Sequence, residues 1–291
     1  MQEPLALQET PAPPRLIQTV IEPTHGLAPI NLPDLWHYRE LIYFLIWRDI
    51  KIRYKQTVLG VAWVVLQPVI STLIFTLLFG VLLEAPSGGV PYPVFALSGL
   101  LPWTYFAASL NKTSNSLVLN SNLITKIYFP RIAVPLASTL SGLVDFAIGF
   151  VVLLGVMLFY GIPPTAAILL LPLFLLFAVL TALGFGLWLS ALNVRYRDIN
   201  QLTPFIIQVW MYLTPVVYSI ALIPERFRFL LALNPMTAVV EGLRWSLLGA
   251  AAAEGLASGW MLAVPLLISL CVLISGAYFF RRTEKTFADI I

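Results

Sequence analysis

The chain has 291 residues, 59% of them hydrophobic and 11% charged, with a mean hydropathy of +0.88. That is too little polar material to cover a water-soluble globule of this size, and it assigns the chain to a bilayer. The net charge of +3 would suit a nucleic-acid partner, but basic residues in a membrane protein are first a signal of topology.

Residues 1–33 contain seven prolines and no continuous apolar core of signal-peptide length, so they read as a mostly extended cytoplasmic tail, not a cleaved leader. Residues 34–56 follow as an amphipathic helix, with Asp34 as its expected N-cap just after Pro33. At about 100° per residue, His37, Glu40, Arg48, Lys51 and Lys55 share one face, and Trp36, Tyr43, Trp47 and Tyr54 form its edge. Leu35, Ile42, Leu45, Ile46 and Ile50 point the other way. This pattern predicts an interfacial helix with its apolar side in the headgroups, its aromatic rings at the boundary and its cations in water. The alternative is a soluble amphipathic helix packed on a domain, and no soluble domain follows.

Residues 57–291 then carry uncharged stretches longer than the roughly 20 residues needed to cross a bilayer. Six spans are predicted, at about 58–83, 94–118, 133–160, 165–193, 203–223 and 261–280. Span one contains Gln67-Pro68, which removes a backbone hydrogen bond and should bend the helix. Span two ends in Ser109 to Ser116, too polar to face lipid without protein or water beside it. The next loop, Asn120 to Pro135, holds a short apolar and basic segment. Span three carries Asp145, read as an acceptor for Ser or Thr of a neighbouring helix or as facing an aqueous passage, with a proton or cation site as the rival reading. A tight turn at 161–164 leads to span four, and a basic turn at 194–199 to span five. The external segment 224–250 holds two apolar pieces, Phe227 to Leu233 and Met236 to Leu248, separated by Asn234-Pro235. Too short to cross and broken by proline, they read as re-entrant or gate helices. The other possibility, a seventh span, would put Arg281 and Arg282 outside.

With the N-terminus inside and six spans, fourteen of the 17 Lys and Arg residues fall at or near the cytoplasmic side, and only Arg226, Arg228 and Arg244 fall outside. Both termini are therefore expected in the cytoplasm. The single cysteine, Cys271, precludes an intrachain disulfide.

Reactive constellations are absent from the sequence. The two histidines, His25 and His37, both precede the first span, so no HExxH zinc site and no His-based dyad lies within the membrane. There is no GxSxG elbow and no GxxxxGK[ST] loop, and no glycine is followed by lysine, so the chain does not hydrolyse ATP by the P-loop route on its own. No catalytic, metal or cofactor-binding residue is expected.

WRDIKIRYKQTVLGVAWVVLQP at 47–68, preceded by LWHYRELIYFL at 35–45, resembles the start of the polysaccharide-exporting ABC-2 permeases, which serve O-antigen, teichoic acid and capsule export. NVRYRDI at 193–199 and LNPMTAVVEGLRWSLLG at 233–249 resemble two further signatures of that family, and IEPTHG at 21–26 looks like the N-terminal extension of its O-antigen branch. The resemblance implies an all-α integral membrane fold with six transmembrane helices. It also implies a homodimer in the bacterial inner membrane, with two copies of a separate ATPase subunit that bind ATP and Mg. The substrate would be a lipid-linked polysaccharide.

By the same resemblance, Asn122, Leu123, Ile124, Lys126, Tyr128 and Arg131 would form a coupling helix in the ATPase groove, with Arg195, Arg197 and Asp198 beside it. Arg48, Lys51, Arg53 and Lys55 would meet the lipid diphosphate at the entrance, where arginine binds phosphate oxygens bidentately and lysine acts as a point charge. Trp63, Gln67, Phe75, Trp210, Tyr212 and Tyr218 would line a channel, since sugar C–H faces pack on aromatic rings. Phe227, Asn234, Pro235, Glu241 and Arg244 would form the gate. The rivals are an ABC-2 exporter of a small hydrophobic molecule, which should lack the aromatic interfacial helix and the RYKQT-to-QP stretch, a secondary transporter and a membrane glycosyltransferase.

Overall fold

The structure is a computed structural model that describes residues 32–55, 60–249, 252–253 and 259–287. Most of the proline-rich tail, the IEPTHG segment, residues 56–59 of the 47–68 motif and parts of 250–258 lie outside the described residues. Among the described residues all regular structure is helical. In chain order the helices are α1 (Leu32–His37), α2 (Arg39–Lys55), α3 (Gly60–Phe75), α4 (Tyr92–Leu119), α5 (Ser121–Lys126) and α6 (Ala133–Ser141). Then come α7 (Leu143–Phe159), α8 (Leu171–Arg195), α9 (Ile199–Tyr212), α10 (Glu225–Ala232), α11 (Pro235–Leu248) and α12 (Trp260–Glu284).

Among the described residues, five helical stretches are long and apolar enough to cross a bilayer: Ala62–Leu82, Tyr92–Leu119, Ala133–Phe159, Ala166–Arg195 and Trp260–Glu284. The expected span 203–223 takes a different form. Its helix, α9, has 14 residues, about 21 Å at 1.5 Å per residue, against about 30 Å of hydrocarbon. The chain then leaves helical geometry through residues 213–219, where Thr214, Pro215, Val216 and Val217 are buried by protein. Pro68 lies inside α3, and the winding changes further on, to a wider π-helical stretch at Thr76–Leu82.

Helix α4 is the centre of the bundle, in contact with α3, α6, α7, α8, α9 and α11. The polar run predicted to need cover is covered by protein: Ser109, Thr113, Ser114 and Ser116 are all buried. Their hydroxyls are largely bonded within the fold. Ser116 donates to the carbonyl of Thr113 at 2.7 Å, and Thr113 shares a 2.9 Å bond with Thr139 of α6. Asn193 of α8 donates to the carbonyl of Ser114 at 3.0 Å. Small side chains with internally satisfied hydroxyls let helices approach closely where lipid supplies no partner.

The crossing of α8 and α12 uses the same device. A Cβ on Gly276 would stand 2.4 Å from the carbonyl oxygen of Gly184, so only glycine permits this approach. Beside it Thr181 and Ser269 share a 2.9 Å hydrogen bond, and Trp188 stacks on Phe279 with centroids 4.1 Å apart.

One apolar cluster joins Leu45 of α2, Ile124 of α5, Val194 at the end of α8 and Phe280 near the end of α12. The segments that carry most of the cations therefore meet at one end of the bundle.

Helix α2 departs from its expected placement. Leu45 is 1% exposed and, with Leu35, Ile42 and Ile46, packs into that cluster against α6, so the aliphatic face enters protein instead of the headgroups. Trp36, Tyr43, Phe44, Trp47 and Ile52 stay exposed and form the amphiphilic outer side. Asp34 lies within α1 rather than at a helix cap, and a turn at Tyr38 separates α1 from α2.

Candidate functional site

The four cations expected at the entrance, Arg48, Lys51, Arg53 and Lys55 of α2, divide into two kinds. Arg48 donates to Asp49 at 2.9 Å and to the side-chain oxygen of Asn120 at 2.7 Å. Asp49 also accepts an ion pair from Lys112 of α4 at 3.0 Å, and Lys112 donates to the Ser141 hydroxyl at 2.6 Å. Arg53 pairs with the Asp145 carboxylate, which also accepts a hydrogen bond from the Tyr54 hydroxyl. Burial raises the Tyr54 phenol above its ordinary pKa, against the opposing pull of Arg53. Lys51 and Lys55 are exposed, and with Trp47, Ile50 and Tyr54 they line a shallow depression of about 290 Å³.

Asp145 is thus not served by Ser or Thr of a neighbouring span. It sits in the first turn of α7, at the level of the charged helix, where an acid also complements the helix dipole. The sequence reading missed Asp49, Lys112, Tyr54 and Asn120 as participants. A signal was available: an acid inside a cationic block, and a lysine alone in a long uncharged span, each need a partner.

The expected coupling segment does contain a short helix, α5. Ile124 is buried and the half-buried Leu123 packs into the cluster beneath it, so these two anchor α5. Asn122, Lys126 and Tyr128 are exposed. Arg131 is turned inward: its backbone N–H donates to the Glu284 carboxylate at 3.1 Å and its guanidinium donates to the Glu284 carbonyl, which ties the loop to the end of α12. Arg195, Arg197 and Asp198 form an exposed turn, with the Arg195 guanidinium over the Tyr196 ring.

The expected gate residues separate as well. Phe227 on α10 is exposed. Asn234 caps α11, accepting from the Met236 N–H at 3.0 Å and from the Trp210 indole at 2.9 Å, and it donates to Thr214 Oγ1 at 2.8 Å. Pro235 is the first helical residue behind it, where its missing N–H costs nothing.

Glu241 and Arg244 do not face an opening, because their side chains are 3% and 0% exposed. Arg244 bonds Glu241 at 2.7 Å and the Val216 carbonyl at 2.8 Å, and it lies 3.8 Å over the ring of Phe95. The pair is a buried clamp that holds α11 and the irregular 213–219 segment on α4. Gly99 makes room for it, since a Cβ there would stand 2.2 Å from the Val216 oxygen.

Of the expected channel residues, Trp63, Gln67 and Tyr212 are exposed. Phe75 packs against Phe79, and Trp210 is wedged edge-on between Phe106 and Phe185, with centroids 5.0 and 4.7 Å away. Tyr218 donates to the Tyr212 carbonyl at 3.1 Å. Only Thr203 is buried in α9; Ile207, Trp210 and Met211 pack on the core, while Leu202, Phe205, Val209 and Tyr212 are exposed among the described residues. Phe205, Ile206, Val209, Trp210 and Leu213 line a second shallow depression of about 310 Å³ on it. Among the described residues no group of three or more His, Cys, Asp or Glu side chains is placed to hold a metal ion.

The family model described as "ABC-2 type transporter" matches residues 40–248, from the start of α2 to the end of α11. The chain belongs to the ABC-2 type transporter family. It is similar to the O-antigen export system permease protein RfbA of Myxococcus xanthus, 30% identical over 210 residues, which cover 71% of this chain and 80% of the relative. A protein of the same name from Klebsiella pneumoniae is 26% identical over 260 residues, 89% of this chain and 97% of the relative. The polysialic acid transport protein KpsM of Escherichia coli is 22% identical over 239 residues, covering 82% and 91%. As an ABC-2 family member the chain is a transport permease, and the hydrolysis of ATP belongs to a separate subunit.

Proposed function

We propose that this chain is the membrane-spanning subunit of an exporter that moves a lipid-linked polysaccharide of the O-antigen kind across the bacterial inner membrane. It works as a homodimer on two copies of a separate ATPase, which bind ATP and Mg. The observation that carries the reading is the nearly end-to-end similarity to an O-antigen export permease, 97% of whose length is covered. The geometry supports it. Helices α3 and α9 leave apolar and aromatic faces exposed among the described residues, as subunits do when a second copy completes a channel between them.

Six crossings follow if α9 and the buried irregular stretch behind it act together, because non-helical backbone is tolerated at membrane depth where protein covers it. Both termini then lie on the cytoplasmic side, at the end where α2, α5 and the C-terminal part of α12 meet. Trp63, Gln67 and Tyr212 are the channel-lining candidates with free surface, and Phe75, Trp210 and Tyr218 stand behind them. At the entrance, Lys51 and Lys55 are the free partners for diphosphate oxygens, while Arg48 and Arg53 hold the helix that presents them. The exposed residues of α5 and the Arg195–Asp198 turn would dock the ATPase. The α10 surface around Phe227 would form the gate on a mount made by Asn234, Pro235, Glu241 and Arg244.

Deleting the gene should leave the glycan inside the cell while its synthesis continues, and restoring the wild-type chain should return it to the surface. Glycan on the surface of the deletion strain would sink the reading. Loss of efflux of a small apolar solute in its place would favour the rival ABC-2 exporter.

A further inference from the structure

Asp145 is a carboxylate in the first turn of α7 with no role in the binding of glycan, diphosphate or motor described above. Its two partners come from adjacent positions of another element, Arg53 and Tyr54 in the last turn of α2. One guanidinium and one phenol on a single carboxylate fix position and orientation together, because the two donors approach it from different points of the helix. A second attachment lies one turn back. Asp49 of α2 holds Lys112 of α4, and Arg48 reaches Asn120, the residue directly before α5. The side chains of Asp49 and Asp145 are 10% and 19% exposed, so these charges are only partly screened by water.

We infer that Asp145 is a positioning residue of the transport cycle: its bonds to Arg53 and Tyr54 make α2 and α5 one rigid unit with α4 and α7. A push delivered to that unit from the cytoplasmic side is then passed to the core of the bundle through charge pairs. The inference rests on the exporter reading for its consequence, since it names the part of the permease that moves with the motor. It does not rest on that reading for its geometry.

Charge exchange tests it, in membranes containing the full-length chain and its ATPase subunit. Asp145→Asn and Arg53→Gln should each lower export about tenfold while ATP hydrolysis stays within about twofold of wild type, and the exchanged pair Arg53→Asp with Asp145→Arg should recover most of the export. A residue needed only for folding would lower assembly, hydrolysis and export together. Normal export in either single variant, or loss that the exchange fails to repair, overturns the proposal. A single variant that does not accumulate is decided by the same exchange.

A second measurement is independent of transport. In a Cys271→Ser background, Leu45→Cys should be shielded from a maleimide, and adding Asp145→Asn should speed its labelling about tenfold, as α2 loosens from the bundle. Unchanged labelling overturns the latch even if the chain exports glycan. Faster labelling in a chain that exports nothing keeps the latch and counts against the exporter reading alone.

Discussion

Helices α3 and α4 are successive in the chain and touch each other, yet they meet opposite surroundings. In the apolar window of the span Tyr92–Leu119, 78% of residues are buried within the protein, against 11% for Ala62–Leu82. The buried helix is the more polar of the two. It carries Ser98, Gly99, Ser109, Thr113, Ser114 and Ser116 inward, whereas α3 and its continuation expose Leu66, Ile70, Leu73, Ile74, Leu77 and Val81. In water the order would be reversed. In a bilayer, lipid tails are as apolar as leucine, so hydrophobicity does not select the centre, and the ability to approach closely and bond internally does. The contrast also separates the two structurally: α4 holds the fold, and α3 keeps an exposed apolar face among the described residues.

The comparison can be tested on both sides. The largest effect is expected at the clamp on α4. Glu241→Ala leaves the Arg244 charge buried without its carboxylate and should lower stability by about 3–5 kcal/mol, read as a shift in denaturant or thermal unfolding in detergent. Next comes Leu110→Ala in α4, where a fully buried side chain is replaced by a cavity, at about 2 kcal/mol or more. Thr113→Val removes the hydroxyl bond to Thr139 at nearly constant volume and should cost about 0.6–1.5 kcal/mol by the same assay. The smallest effect is expected at Leu73→Ala in α3, 62% exposed, which should stay within about 0.5 kcal/mol. Equal losses at Leu73 and Leu110 would erase the distinction between the two helices.

Much of the architecture is legible in the sequence. Long uncharged runs mark the five helices that, among the described residues, are long and apolar enough to cross, because the bilayer imposes a minimum length on any helix that spans it. The polar run 109–116 foretold protein contact, and the broken apolar segment after residue 224 foretold two short helices, now α10 and α11. The basic segments were recognisable as a group. Their partners were not, since Lys112 lies about sixty positions from Asp49, and Arg53 still further from Asp145. Nothing in local periodicity announces a pairing over that distance. The same gap misassigned the aliphatic face of α2 to the headgroups, because a helical wheel gives the direction of a face and not what stands opposite.

Composition and spacing by themselves determined that this is a helical membrane protein with its cations gathered at a few junctions, because the solvent that each segment tolerates is a local property. Only the tertiary structure decided which cations are engaged, with Arg48 and Arg53 in ion pairs and Lys51 and Lys55 exposed. It alone made Glu241 and Arg244 a buried clamp and gave Asp145 to the charged helix. A pair of charges is a relation between distant parts of the chain, and only folding brings its members within reach.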